Sequence, residues 1–204
     1  MKIIKKVLIE IEKVPRWIGK QFYIRWNKLM LWANEIKYGK NILIYNRFYL
    51  QKDRTATISI GDNFVFTSGE AFNPLSRNQR GCIHAANKAC IKIGDNVGIS
   101  SAVIRAHSSI SIGNNVNIGA DCIILDTDAH SLNWRLRRKE MNNEFANSLP
   151  IAIEDDVLIG VRCIILKGVT IGARSIIAAG SVVTKSIPPD CIAGGIPCKI
   201  IKKS

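Results

Sequence analysis

Acidic side chains are scarce in this sequence relative to basic ones. It has 16 Asp and Glu against 29 Lys and Arg, a formal net charge of +13. Such a balance favours anionic partners, among them membrane surfaces, nucleic acids and phosphorylated or nucleotide-linked substrates. Because the sequence has no aromatic-basic groove or motif of the kind that recognises nucleic acids, we expect no nucleic-acid partner.

The sequence also lacks paired cysteine motifs and long apolar runs. Its six cysteines include no Cys-x-x-Cys pair, and no run of 18 apolar residues occurs. These absences argue against a thiolate metal site and against a membrane-spanning helix. Glu10 and Glu12 interrupt the apolar stretch near the start, which therefore does not resemble a secretory signal. We expect a cytoplasmic protein in which Cys122 and Cys163 serve as small apolar residues.

A repeat of six residues dominates the stretch from Ile153 to Ile187. An aliphatic residue returns at every sixth position, namely Ile153, Ile159, Ile165, Ile171, Ile177 and Val183. This period fits neither an α-helix nor a plain alternating strand. It predicts a parallel β-helix in which three hexads form one triangular coil. An ordinary β-sandwich is the alternative.

The same repeat extends upstream, to about residue 56, with two breaks. Thirteen residues separate Ile99 from Ile112, which predicts one bulged residue between them. The first break, residues 67–92, carries Arg77 and Arg80 and is either a substrate-facing loop or a solvated bulge. The second, a loop inserted at residues 126–150, is longer, and long loops in compact folds are usually functional or disordered.

The first fifth of the chain has a different character from the repeat. Residues 1–40 contain ten Lys or Arg and three Asp or Glu, a net charge of +7. Apolar residues recur there at helical spacing, namely Ile18, Phe22, Trp26, Leu29, Ala33 and Ile36. We expect a basic amphipathic helical segment over residues 1–50 and the β-helix domain over residues 51–204. The helix could rest on an anionic bilayer or cover the first open coil.

The second break contains the candidate catalytic histidine, His130. Asp126 and Asp128 precede it in an Asp-x-Asp-x-His pattern. Imidazole titrates near neutrality, so it can take a proton from a hydroxyl or an amine and return it. A neighbouring carboxylate would fix its tautomer. Trp134 and Arg135 follow on the same loop, and we expect them on the side of the acceptor.

The hexads, the Asp-x-Asp-x-His loop and the Gly-Gly-Ile-Pro-Cys-Lys tail from Gly194 to Lys199 together resemble the hexapeptide-repeat acyltransferases. The likeness is greatest to galactoside, maltose and nodulation O-acetyltransferases and to enzymes that decorate surface polysaccharides. It covers about residues 56–203. It implies a left-handed parallel β-helix and a homotrimer with acetyl-CoA held between neighbouring subunits. It implies no metal.

The resemblance also assigns roles to individual residues. His130 would be the general base that deprotonates a sugar hydroxyl, which attacks the thioester directly. Acetyl-CoA would lie along Gly160, Val161, Ala178, Ala179, Thr184, Lys185, Lys199 and Lys202. Two departures concern the acceptor. Ser100 and Ser101 stand where galactoside-type enzymes have an asparagine, and Leu158 stands where many have a tryptophan.

Other functions remain open at this point. The chain could be an N-acetyltransferase for a nucleotide-linked amino sugar or an antibiotic, a non-catalytic β-helix scaffold, or a γ-class carbonic anhydrase. The zinc enzymes place two of their three histidines five residues apart, whereas His84, His107 and His130 are each 23 apart. Serine acetyltransferases have a different histidine context and a large helical domain. With a basic arm on the inner face of the cytoplasmic membrane, a lipid-linked surface glycan precursor would be the expected acceptor.

Overall fold

The computed structural model describes residues 2–76, 79–139 and 145–203, and for residues 2–17 it describes the backbone alone. The described residues form two helices, α1 (Lys2–Ala33) and α2 (Trp134–Arg137), and twenty strands. Three sheets of six, eight and six strands wind into a three-sided prism. The predicted parallel β-helix is therefore confirmed. Arg77, in the first break, lies outside the described residues.

Each sheet is formed by the strands on one side of successive coils. Sheet A contains β1 (Lys37–Tyr38), β4 (Thr57–Ile60), β7 (Cys90–Ile93), β10 (Ser109–Ile112), β13 (Ile151–Ile153) and β16 (Thr170–Ile171). Sheet B contains β2 (Leu43–Tyr45), β5 (Val65–Thr67), β8 (Gly98–Ser100), β11 (Asn117–Ile118), β14 (Leu158–Ile159), β17 (Ile176–Ile177), β19 (Cys191–Gly194) and β20 (Lys199–Lys203). Sheet C contains β3 (Tyr49–Lys52), β6 (Cys82–Ala85), β9 (Val103–Ala106), β12 (Ile123–Leu125), β15 (Ile164–Leu166) and β18 (Val182–Val183). Except for β20, which runs antiparallel to β19, neighbouring strands are parallel.

The hexad aliphatics stack on one another inside the prism. Ile112 pairs with Ile153 and Ile118 with Ile159 in successive coils, and all four side chains are buried. Burying one such side chain contributes about 1.5–3 kcal/mol, so the repeat of six supplies one continuous core. The side chains between them point outward, as the alternating burial of β6 and β9 shows.

A ladder of amides runs along the corner between sheets A and B. The side-chain amide of Asn63 donates to Asn96 at 2.8 Å, Asn96 to Asn115 at 3.0 Å, and Asn115 to Asp156 at 3.1 Å. All four residues have positive φ, a backbone conformation that Asn and Asp tolerate better than most residues. These turns therefore fix both the corner and the spacing of the coils.

The β-helix begins earlier than the sequence indicated. β1, β2 and β3 form a first coil within residues 37–52 and pair with β4, β5 and β6. The expected boundary between residues 50 and 51 is therefore wrong as a limit of the β-helix. The hexad signal is weak in this coil because Tyr38, which pairs with Ile60 and is 40% exposed, stands at an aliphatic position, and because Phe48 stands where the repeat has a small residue, four places after Ile44.

The C-terminal part of α1 covers this first coil. Leu31 is fully buried, and Ile36, just beyond the helix, joins the same core. The buried side-chain amide of Asn27 donates to the carbonyl oxygens of Ile44 at 3.0 Å and Asn46 at 2.8 Å. These carbonyls belong to the outermost coil, so α1 supplies the hydrogen bonds that a preceding coil would otherwise make.

Two further expectations concern the cysteines and membrane crossing. Cys122 and Cys163 are fully buried at their hexad positions, as predicted, and all six cysteines are free thiols. Within the described part of the chain, no helix combines the length and the hydropathy that crossing a bilayer would require.

We predict that Asn27→Ala lowers the free energy of unfolding by about 1–3 kcal/mol, because it removes the donor to the buried carbonyl of Ile44 and to the partly buried carbonyl of Asn46. Urea denaturation of the full chain measures this. Lys28→Ala, at the next and exposed helix position, is the control and should change stability by less than about 0.5 kcal/mol. Equal effects of the two substitutions would contradict the capping role of Asn27.

Candidate active site

The loop that carries His130 leaves the prism at the carboxyl end of β12 and is closed at its base. The backbone N–H of Leu149 donates to the carbonyl of Asp126 at 2.9 Å, and that of Asp128 donates to Asn147 at 3.0 Å. An antiparallel bridge joins Thr127 and Ser148 between them. The two ends of the 25-residue excursion are therefore held together as a short ladder.

The carboxylate of Asp126 ties this base to the preceding coil. Its two oxygens accept the backbone N–H groups of His107 at 2.7 Å and Ser108 at 2.8 Å. The turn at His107 and Ser108 contains the extra length predicted between Ile99 and Ile112. Asp126 is fully buried, and burial raises its pKa while the two N–H groups oppose the rise.

His130 follows a tight turn at the root of the loop. Ala129 has a φ of 62° and its N–H donates to the hydroxyl of Thr127 at 3.1 Å. His130 is exposed, whereas the next residue, Ser131, is buried. The backbone thus presents the imidazole at the surface from a root that is fixed on both sides.

Asp126 and Asp128, the two carboxylates expected to orient His130, lie in different surroundings. Asp126 cannot meet substrate because it is buried and both its oxygens bind backbone N–H groups, so it acts as a positioning residue. Asp128 Oδ2 lies 3.3 Å from Lys167 Nζ, which comes from the same corner of the next coil. Sequence reasoning missed Lys167, since no motif distinguishes it from other corner lysines.

The tip of the loop is aromatic and basic. Asn133 caps the short helix α2 by accepting the N–H of Arg135 at 2.9 Å. The guanidinium carbons of Arg135 and Arg138 lie 4.8 and 4.6 Å from the ring centre of Trp134. Arg137 donates to the carbonyl of Ser131 at 2.7 Å. Trp134 and Arg135, the expected acceptor contacts, are therefore exposed on a locally ordered tip.

The expected acceptor role of Ser101 is corrected by its burial. Ser101 is fully buried in a turn with a φ of 45°, and its hydroxyl accepts the N–H of Gly69 at 2.9 Å. It therefore holds the first loop to the coil and cannot touch an acceptor. Ser100 is half-buried at the end of β8, where its hydroxyl accepts that of Thr67 at 3.2 Å.

Four of the expected donor-side residues form one column along the corner between sheets B and C. Gly160 and Val161 precede β15, and Ala178 and Ala179 occupy the equivalent positions before β18. A Cβ on Gly160 would lie 2.6 Å from the backbone nitrogen of Ala179, so only glycine allows this close stacking. The column is small and partly exposed, and it can accept an extended chain against its backbone.

The other four expected donor-side residues divide between two edges of sheet C. Lys199 pairs with Gly194 and Lys202 with Ile192 in the antiparallel β19–β20 pair. Ala178 lies beside this pair, because its N–H donates to the carbonyl of Ala193 at 2.8 Å. The exposed residues Thr184 and Lys185 instead follow β18, at the opposite edge of sheet C.

Sheet C separates the histidine from the donor column within one chain. The His130 loop follows the carboxyl end of β12, while Gly160 and Ala178 precede the amino ends of β15 and β18. At about 3.3 Å per residue, a strand and its turns put these two edges roughly 15–20 Å apart. One chain therefore carries both halves of the expected site but holds them on different edges.

The other two histidines, His84 and His107, lie next to each other on the outer face of sheet C. The rings of His84 and His107 are 6.5 Å apart, and burial together with the nearby Arg105 lowers the pKa of both. Among the described residues, no three His, Cys, Asp or Glu side chains gather as a metal site. The spacing of 23 residues therefore does not bring the three histidines together.

We predict that Asp126→Asn loosens the base of the loop, because an amide offers one acceptor in place of two. Amide hydrogen exchange at His107 and Ser108 should speed up roughly tenfold or more, with a loss of about 1–3 kcal/mol in unfolding free energy. Asp128→Asn is the control, because the carboxylate of Asp128 pairs with Lys167 and not with the N–H groups of His107 and Ser108, so exchange at those two residues should stay unchanged. Unchanged exchange in Asp126→Asn would contradict the positioning role.

The chain is similar to proteins of one family along its repeats. A family model described as the hexapeptide repeat of succinyl-transferase matches residues 109–124 and 150–185. Galactoside O-acetyltransferase of Escherichia coli K12 is 42% identical over 95 residues, 47% of this chain and 44% of that protein. The chain thus spans less than half the length of this curated relative.

Solved structures extend the likeness to the whole described fold. A hexapeptide-repeat-containing acetyltransferase of Vibrio cholerae is 27% identical, with a TM-score of 0.56, over 96% of this chain and 92% of that one. The same protein complexed with acetyl-CoA has a TM-score of 0.51 over 88% and 77%. The N-acyltransferase AntD of Bacillus cereus, at 20% identity and a TM-score of 0.64 over 86% and 87%, shares the fold. The prism is thus a left-handed parallel β-helix, the fold of these hexapeptide-repeat acetyltransferases, and the chain is similar to them in sequence along its repeats.

Proposed function

We propose that the protein transfers the acetyl group of acetyl-CoA to a hydroxyl of a sugar, within a surface polysaccharide or its precursor. One observation carries the proposal. An exposed imidazole stands on a loop whose base is fixed by Asp126, and a column of small residues runs along the other edge of the same sheet. A base and a groove for an extended thioester are the two parts that acyl transfer requires.

His130 is the general base in this proposal. Its imidazole takes the proton of the acceptor hydroxyl as the oxygen attacks the thioester carbonyl carbon. The tetrahedral intermediate collapses with cleavage of the C–S bond, and the imidazolium returns the proton to the departing thiolate. Backbone N–H groups near the groove would meet the oxyanion. The step involves no covalent enzyme intermediate.

The donor fits the column at Gly160, Val161, Ala178 and Ala179. The pantetheine arm is long and thin, and residues without large side chains allow it to lie against the backbone. The solved Vibrio cholerae relative holds acetyl-CoA, and that supports the same co-substrate here. Lys199 and Lys202 are exposed beside the column and offer cations to the phosphates of the nucleotide.

We infer a homotrimer because each chain holds the two halves on separate edges of sheet C. If three prisms pack with these sheets inward, the His130 edge of one subunit meets the donor edge of the next. Side-chain chemistry supports this packing. The outward face of sheet C carries His84 and Arg105 in its earlier coils and is otherwise apolar and half-buried at Val103, Ile123, Leu125, Ile164, Leu166 and Val182. The outward face of sheet A is polar at Thr57, Ser59, Lys92, Ser109, Ser111 and Thr170. Lys185, on the His130 edge, would then face the donor bound to the neighbouring subunit.

The loop tip suits a sugar acceptor. A pyranose ring packs its C–H face on an aromatic ring, and Trp134 is the exposed aromatic residue of the tip. Arg135 and Arg138 beside it can donate to sugar hydroxyls or to an anionic substituent. Ser100 is the remaining acceptor candidate on the coil, while Leu158, 46% exposed, offers an apolar surface in place of a second ring.

We predict that His130→Ala lowers kcat about 10²–10⁴-fold, the usual loss for a general base. Affinity for CoA should stay within about twofold, because in this proposal His130 serves the acceptor hydroxyl and does not hold the nucleotide or the pantetheine arm. Steady-state acetyl transfer and calorimetric titration with CoA measure the two effects. More than half of the wild-type activity in the variant would rule out His130 as the base.

We predict that two inactive variants restore activity when they share a trimer. Ala179→Trp should fill the donor groove and abolish CoA binding, while His130→Ala lacks the base. In a 1:1 co-assembled mixture, roughly a quarter of the sites combine an intact His130 with an intact groove. Recovery near that fraction supports the shared site. Mixed trimers without recovered activity, or an active monomer in sedimentation, would contradict it.

A further inference from the structure

We propose that the outward face of α1 docks onto an anionic lipid bilayer surface. This inference concerns a surface at the first coil, away from the candidate active site, and it does not rest on the proposed reaction. It follows from which residues of α1 the β-helix leaves uncovered, from the charge around them, and from a groove that continues the same surface.

The two sides of α1 are used differently. On the inner side, Leu31 enters the core, Asn27 binds the first coil, and Lys20 Nζ lies 4.8 Å from the ring centre of Tyr45. On the outer side, five large apolar side chains are exposed, namely Ile18 (57%), Phe22 (56%), Trp26 (43%), Leu29 (49%) and Trp32 (71%). The first coil therefore covers the side of α1 that contains Lys20 and Asn27, and the apolar side of the helix stays exposed.

The exposed residues form one continuous face. Ile18, Phe22 and Leu29 follow one another at spacings of four and seven, which lie on the same side of a helix. The rings of Phe22 and Trp26 stack with their centres 6.2 Å apart. Large exposed apolar patches on soluble domains mark interaction sites. Two tryptophans and a phenylalanine on such a face are typical of residues that lie at the headgroup level of a bilayer.

Positive charge surrounds this face. Arg25 lies within it and Lys28 beside it, both exposed, and residues 1–40 carry ten basic against three acidic side chains. An anionic surface is complementary to that charge, and each basic residue near it adds attraction. A second copy of this chain would bring the same excess of positive charge against itself, so charge favours the bilayer over helix pairing.

The same surface continues around the helix into a groove against the first coil. Phe22, Trp26 and Tyr49, which is 53% exposed, line this groove. The exposed residues Arg47 and Arg80 line it as well. Aromatic rings together with guanidinium groups suit the boundary between acyl chains and phosphate headgroups. The docking surface is therefore broader than one helix stripe and fixed in angle to the prism.

Deleting α1 would not be a clean test, because Leu31 and Asn27 belong to the cap of the first coil. The test uses the full chain with Phe22→Glu and Leu29→Glu combined, and separately with Arg25→Glu and Lys28→Glu combined. Flotation is measured with vesicles of phosphatidylcholine alone and with phosphatidylglycerol added, at low and high salt. Ile201→Glu, which changes an equally exposed apolar residue on β20, is the control.

The wild type and the Ile201→Glu control should float with the anionic vesicles at low salt, and release at high salt because screening weakens the attraction. Each double variant should lower partition roughly tenfold or more, with unchanged unfolding by urea. Flotation that is equal in the wild type and both double variants, or absent in all, would overturn the proposal. So would a wild type that ignores vesicles but sediments as an assembly larger than that of the Phe22→Glu, Leu29→Glu variant, because the face would then bind a second copy.

Discussion

The stacking of coils in register is the constraint on which the rest of this molecule depends. Parallel neighbours lie about 4.8 Å apart, so each coil repeats the position of the one before it. Ile118 lies directly under Ile159, and Asn115 directly under Asp156. Because each coil keeps the same register as the one before it, every corner residue has a defined neighbour in the next coil. The close approach of Gly160 to Ala179 is one consequence.

Turns and loops that interrupt the repeat allow one coil to carry side chains that the other coils lack. At the turn between β9 and β10, the backbone N–H groups of His107 and Ser108 receive the carboxylate of Asp126. That contact lets the chain leave the prism for 25 residues without losing the coil beneath it. The loop then returns through Leu149, which bonds back to Asp126 itself. The exposed His130 owes its position to these backbone contacts, with the Asp128–Lys167 pair alongside.

The fold was predictable from sequence wherever the hexads were regular. A period of six with aliphatics such as Ile159 and Ile165 has one common structural solution, and the structure confirms it. The first coil was missed because Tyr38 stands in place of an aliphatic residue and Phe48 in place of a small one. The roles of Ser101 and Asp126 were equally hidden, because burial of a polar side chain depends on contacts with Gly69 and His107, far away in sequence. Helical periodicity detected the apolar residues of α1 but could not say which side the β-helix would cover. The donor residues came from a resemblance, whereas His130 came first from its Asp-x-Asp-x-His loop and then from the same resemblance, and all these roles remain predictions.

The central claim is that this chain transfers the acetyl group of acetyl-CoA to a sugar hydroxyl and so forms an ester. The most direct measurement incubates the purified full chain with acetyl-CoA and a panel of free sugars, nucleotide sugars, amino sugars and lipid-linked glycans. Thiol release identifies the acceptor, and the product is analysed by mass and by treatment with mild alkali. The account predicts one added acetyl group that alkali removes, as an ester requires. An alkali-stable amide on an amino sugar, or acetyl transfer to no hydroxyl acceptor in the panel, would contradict it.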